Sequence, residues 1–176
     1  KIAARNYTGA LQEIDTLLAG DPRNADALYM AAVCYRYTAQ YAKAHASLDA
    51  LKAQTHDEGR GYQERGHLHL AQNNPEKALA AYANACQLNP ALEASWRNQY
   101  QILQAMNHTE EAQQALAQVK RLRTLPKALV AATDLMAQGK LLKAESLCRK
   151  FLQANPTHVE AMRLLADLAV KFGALE

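Results

Sequence analysis

Cysteine is scarce in this sequence and poorly placed for chemistry. Cys34, Cys86 and Cys148 are the three present; their number is odd, no CxxC occurs and no histidine pair lies near, so neither a disulfide framework nor a zinc site is indicated. Buried thiols in a reducing, cytoplasmic compartment are expected instead. Long apolar runs are missing too, since none approaches the roughly 18 residues of a membrane span. No one sign of charge dominates. With 20 Lys and Arg against 17 Asp and Glu mixed along the chain, neither nucleic acid nor an anionic membrane is expected as a partner. Two Phe, seven Gly and five Pro among 176 residues disfavour strands, which want aromatic and β-branched side chains on a pleated surface. They favour an all-α fold.

Catalytic signatures are lacking as well. No HExxH, glycine-rich phosphate loop, paired carboxylate motif or Ser-His-Asp order can be found. His67 and His69 in GHLHL stand two places apart, which on a helix turns them roughly 200° from each other and prevents them from sharing one ion. No enzymatic activity, metal or cofactor is therefore expected within these residues.

What is present is a period. Ala10, Ala44, Ala78 and Ala112 follow one another at 34 residues, and Ala144 comes after 32. Prolines keep the same beat, Pro22 to Pro90 spanning 68 and Pro90 to Pro156 spanning 66. Such a spacing marks a stacked array whose members bury their apolar faces against their neighbours. The best-formed member, Gly59 to Leu92, predicts helices over about Tyr62 to Gln72 and Pro75 to Leu88. The full division is Lys1–Asn24 as the tail of one repeat, then Ala25–Glu58, Gly59–Leu92, Glu93–Thr124 and Leu125–His158, and last the partial Val159–Glu176. Because KIAARNY opens in mid-pattern, a fragment of a longer protein is expected. Uncapped terminal repeats would then expose apolar faces for further chain or a second copy to cover.

Within each repeat the landmarks have fixed offsets. The first helix opens on Leu28, Tyr62, Trp96, Ala128 and Met162, all read as packing, with Ala32, Gly66, Tyr100, Ala132 and Ala166 four places on. Tyr100 breaks the preference for a small residue. In the second helix the alanines are followed four places on by Ile14, Leu48, Tyr82, Leu116 and Cys148. A small residue at a crossing lets two helix axes approach to about 8–10 Å, and the larger ones fill the groove. Asn73, Asn107, Gly139 and Gly173 occupy the turn, where a left-handed residue ends a helix; Ala39 departs. Two joints are irregular. THDEGRG places Gly59 and Gly61 ahead of a helix, and KRLRTLPKALV is two residues short with Pro126 placed to open one. Its Lys120, Arg121 and Arg123 read as basic residues complementing a helix C-terminus.

These landmarks resemble the tetratricopeptide repeat. The resemblance implies a right-handed α-solenoid of antiparallel helix pairs, about four complete repeats with partial ones at both ends, and a non-catalytic scaffold that binds a protein or peptide. The first helices would line a concave groove showing Tyr29, Val33, Arg36, Tyr37, Gln63, His67, Arg97, Gln101, Arg163 and Asp167. That mixture suits an extended peptide or an acidic tail. The family's carboxylate clamp for chaperone tails is not matched, since Tyr29, Val33, Ala94 and Asn98 hold its positions. Arg65 and Gln99 stand where a leucine is usual, which points to a buried network or a widened groove. A narrower resemblance covers Leu125 to Glu176, which is similar to the repeats preceding the transferase domain in bacterial tetratricopeptide sulfotransferases. It implies an arm that positions a substrate or partner.

Overall fold

In the computed structural model, residues 6–54 and 58–173 are described. They form ten helices and no strand: α1 Tyr7–Gly20, α2 Ala25–Tyr37, α3 Tyr41–Lys52, α4 Glu58–Ala71, α5 Pro75–Leu88, α6 Glu93–Ala105, α7 Thr109–Thr124, α8 Lys127–Ala137, α9 Leu141–Ala154 and α10 Val159–Gly173. The contacts divide the chain into two compact units, 1–82 and 83–176, with the boundary inside α5.

Side-chain caps start the first two helices. Asn6 accepts from the Gly9 amide at 2.8 Å and Asn24 from the Ala27 amide at 2.9 Å, satisfying N–H groups that have no partner within a helix. Pro75 opens α5, where its missing N–H costs nothing. Pro126 sits one residue ahead of α8 and holds Leu125 extended at φ −68°, ψ 142°, as the residue before a proline prefers. The joint between α7 and α8 is thus two residues long. Gly59 and Gly61, expected in a loop, instead belong to the first turn of α4; Thr55, His56 and Asp57 of that joint lie outside the described residues, as does Lys1–Arg5.

Four helices end in one way. Ala39, Asn73, Asn107 and Gly139 have φ of 57°, 57°, 60° and 71°. The amide that follows each one reaches back to a carbonyl five residues earlier: Gln40 to Tyr35, Asn74 to His69, His108 to Leu103 and Lys140 to Leu135, at 2.8–2.9 Å. This is the Schellman closure, which satisfies the last carbonyls of a helix. Ala39 adopts it despite its Cβ, so the repeat overrides local preference. Gly173 does not take part, being the last residue of α10 with no left-handed backbone. Because a left-handed residue with a Cβ is strained by roughly 1–2 kcal/mol, Ala39→Gly is expected to stabilise the protein by about 1 kcal/mol, less whatever the unfolded chain gains in freedom. A higher urea midpoint for the variant is the check.

Apart from the half-buried Ala10, the periodic alanines form the centre of the packing. Ala44, Ala78 and Ala144 are fully buried and Ala112 nearly so, together with Ala32, Ala132, Leu48, Tyr82 and Cys148. Leu28, Ala32, Ala44, Leu48, Leu51 and Leu68 make one core; Ala132, Ala144, Cys148, Leu164 and Leu168 make another. The three thiols are free and buried, and burial pushes that of Cys86 up to about 12. At α10 the register fails: Met162 and Ala166 are exposed and Ala161, Leu164 and Leu168 are buried instead. In earlier repeats a second helix covers the opener and the small residue, and α10 has none after it among the described residues.

Candidate functional site

In the first unit the expected inner face is largely engaged with itself. On α2, Tyr29, Val33 and Arg36 are half-buried and Tyr37 is exposed; on α4, Gln63 and His67 are half-buried. The Arg36 guanidinium donates from Nε to Oε1 of Glu64 at 2.5 Å and from Nη2 to Oε2 at 3.4 Å. These side chains keep only 15% and 4% of their surface in water. Burial disfavours the Arg36 cation, but the hydrogen bond and charge of Glu64 outweigh it. The Glu64 carboxyl is pushed above the usual range by burial, against the pull of Arg36.

Two aromatic contacts continue from this pair. Arg36 lies 4.2 Å over the Tyr37 ring, which stacks on Tyr7 with centroids 4.5 Å apart. On the other side, the Tyr82 hydroxyl and Nδ1 of His67 share a hydrogen bond of 2.6 Å, with the rings edge to face. Burial pushes the Tyr82 phenol well up, so it stays protonated. Tyr82 fits only because residue 66 is glycine: a Cβ there would lie 2.5 Å from its ring. The GHLHL histidines have separate roles, since His69 packs against His45 with centroids 5.3 Å apart and His45 meets Gln72 at 3.1 Å. Burial, then the charges of His45, Lys77 and Arg65, hold the His69 imidazole below its ordinary value.

Arg65 and Gln99 solve the same positional problem in different ways. Arg65 reaches outward to Asp49 of α3 at 2.5 Å. Gln99 stays buried and donates to Sγ of Cys86 at 3.0 Å. Sequence reasoning had no signal for Glu64, whose partner lies 28 residues earlier on another helix.

The second unit contains a cavity. Its turn at Asn89-Pro90 is fixed from two sides: buried Asn89 donates to Asp134 of α8 at 2.7 Å and accepts from the Ala91 amide at 3.1 Å, while Trp96 Nε1 donates to the Pro90 carbonyl at 3.0 Å. Pro90 then borders a cavity of about 160 Å³. Its floor is Leu122, Leu125, Leu129, Met136 and Leu164, and its lip carries Arg121, Glu160, Arg163 and Asp167. Glu160 accepts from Arg121 and, at 3.0 Å, from Arg163 Nε. The Arg121 hydrogen bond, with help from Arg163 and against desolvation, holds its carboxyl below the usual range.

Of the expected inner residues, Arg163 and Asp167 both border this cavity. Arg97 and Gln101 are exposed on α6 and are outside that lining. Two members of the basic run are paired, Arg121 with Glu160 and Arg123 with Glu93 at 2.9 Å. The short joint supplies Leu125 and brings the end of α7 beside α8, which is why the floor forms here.

Family profiles described as Tetratricopeptide repeat match residues 1–64, 59–92 and 129–176. The chain contains tetratricopeptide repeats. Solved structures agree on the tetratricopeptide fold. PilF of Pseudomonas aeruginosa is 17% identical with a TM-score of 0.60, over 89% of this chain and 72% of that one. A thermophilic tetratricopeptide protein of Thermus thermophilus is 20% identical with a TM-score of 0.57, over 93% and 91%. MamA is 15% identical with a TM-score of 0.56, over 96% and 90%. At these identities the likeness concerns fold alone, an all-α solenoid of helix pairs. No curated protein sequence matches the chain. The profile over residues 129–176 bears on the tetratricopeptide repeat and not on the sulfotransferase resemblance. Among the described residues no helix is long and apolar enough to cross a membrane.

Proposed function

We propose that the chain is a non-catalytic scaffold that binds a protein or peptide segment on the inner helices of its tetratricopeptide repeats. The cavity of the second unit carries this reading, because an apolar floor with charged groups at its lip is the usual make-up of a site that both holds and orients a ligand. In the first unit Arg36 and His67 of the same helices are held by Glu64 and Tyr82. In the second unit Arg97 and Gln101 are proposed as peripheral contacts, and in the first unit Tyr37 and Gln63 are proposed as contacts of its own inner helices. Affinity purification from cell extract compares the chain with the double variant Arg97→Ala/Arg163→Ala. Reduced recovery of a co-purifying partner is expected; undiminished recovery would show that these helices are not the binding surface.

The sulfotransferase arm is the second reading, and it rests on the resemblance of Leu125–Glu176 alone. A downstream transferase sequence in the same gene would decide for it.

A further inference from the structure

We infer that the cavity between α7, α8 and α10 seats one apolar side chain of a partner segment, of leucine or methionine size, flanked by an acidic residue that lies on Arg121 and Arg163. This deepens the scaffold reading and rests on it. The dimensions limit the occupant first. A cavity of about 160 Å³ is comparable to one of roughly 150 Å³ that takes a single benzene-sized group. Room of that size suits one side chain. The floor limits its chemistry next. Leu122, Leu125, Leu129, Met136 and Leu164 offer no hydrogen bond; the polar side chains of the wall are Gln118 and Thr133, whose hydroxyl donates to the Leu129 carbonyl at 2.9 Å. A polar side chain seated on those five apolar residues would leave water without replacement partners there.

The lip decides the neighbour. Two guanidiniums converge on one carboxylate at Glu160, so that cluster by itself carries one positive charge in excess while the carboxylate stays ionised, although with Asp167 the four charged groups of the lip balance. Each guanidinium has five N–H donors in a planar fork, and one carboxylate cannot occupy both forks. An incoming Asp or Glu can take the remaining donors, whereas a Lys would meet two like charges. Asp167 lies one turn further along α10 on the same face, and both arginines are paired with Glu160, which makes their cluster the anion-accepting part of the lip.

The test starts from peptides of random sequence displayed on phage and selected on the whole chain. Enriched sequences are expected to share Leu, Ile, Met or Phe with Asp or Glu within two positions. The best one, made synthetically and fluorescently labelled, should bind at least about tenfold more weakly when its apolar residue is replaced by Ala. Thr133→Trp, which fills the cavity, should weaken it likewise. Since that variant could disturb α8, its thermal unfolding is compared with the wild type, and Arg163→Glu on the exposed lip provides an independent arm. There the preference should turn from an acidic to a basic neighbour. Peptides that bind regardless of both variants would overturn the cavity assignment while leaving the scaffold reading standing. So would a failure to enrich any peptide when the affinity purification still recovers a partner sensitive to Arg97→Ala/Arg163→Ala; loss of both results would remove the scaffold reading too.

Discussion

Arg36→Met is expected to lower folding stability by about 3–5 kcal/mol at neutral pH, because it leaves the Glu64 carboxylate buried without its cation. Glu64 keeps only 4% of its side-chain surface in water. Arg36→Met combined with Glu64→Met should recover most of that loss, since replacing both members of a buried pair by apolar groups is often close to neutral. The pH dependence has a definite sign. Burial already raises the Glu64 carboxyl in the folded protein, and removal of Arg36 takes away the groups that pull it down. A folded-state value above the unfolded one means that stability is fully present below the unfolded carboxylate range and is lost as pH rises through the folded value. The penalty of Arg36→Met should accordingly be largest near neutrality and shrink in acid. Urea titrations at several pH values read this directly; a penalty that is the same at every pH would contradict the burial argument.

Gly66→Ala is the second large effect, and here two terms compete. Alanine gains about 1 kcal/mol over glycine inside a helix. Against this, the new Cβ would stand 2.5–2.7 Å from three atoms of the Tyr82 ring, and that ring is fully buried. Overpacking of this kind costs up to about 3 kcal/mol, so a net loss of about 2 kcal/mol is expected. A double-mutant cycle with Tyr82→Leu isolates the contact, because the smaller side chain gives the methyl room and the combined loss should fall below the sum of the single ones. Additive losses would place the cost in the helix and not in the ring.

The period made much of this fold legible. Alanines at one offset, larger apolar residues four places later and a turn residue between helices are local requirements repeated along the chain, and a sequence displays such requirements openly. Asn73, Asn107 and Gly139 announced their left-handed turns by residue type. Ala39 could be placed only by register, which turned out to be the stronger constraint. Side-chain destinations were less legible. Arg36 and His67 were placed on an inner helix and read as ligand contacts, but the carboxylate and the phenol that hold them come from elsewhere in the chain and nothing local points to them. Arg163 and Asp167 were placed on a surface by the same offset, whereas the floor beneath them depends on a joint that the sequence marked only as two residues short. Met162 and Ala166 fit the pattern by position yet lie in water, because a repeat position has meaning only when the next helix is there to pack on it.

The three buried thiols also constitute a clock. Cys34 reports on α2, Cys86 on α5 and Cys148 on α9. The thiolate is the reactive form, and burial disfavours it in each of the three. Alkylation must wait until the surrounding helices part. The order in which an alkylating reagent marks them would therefore give the order in which those helices open, without any label added to the protein.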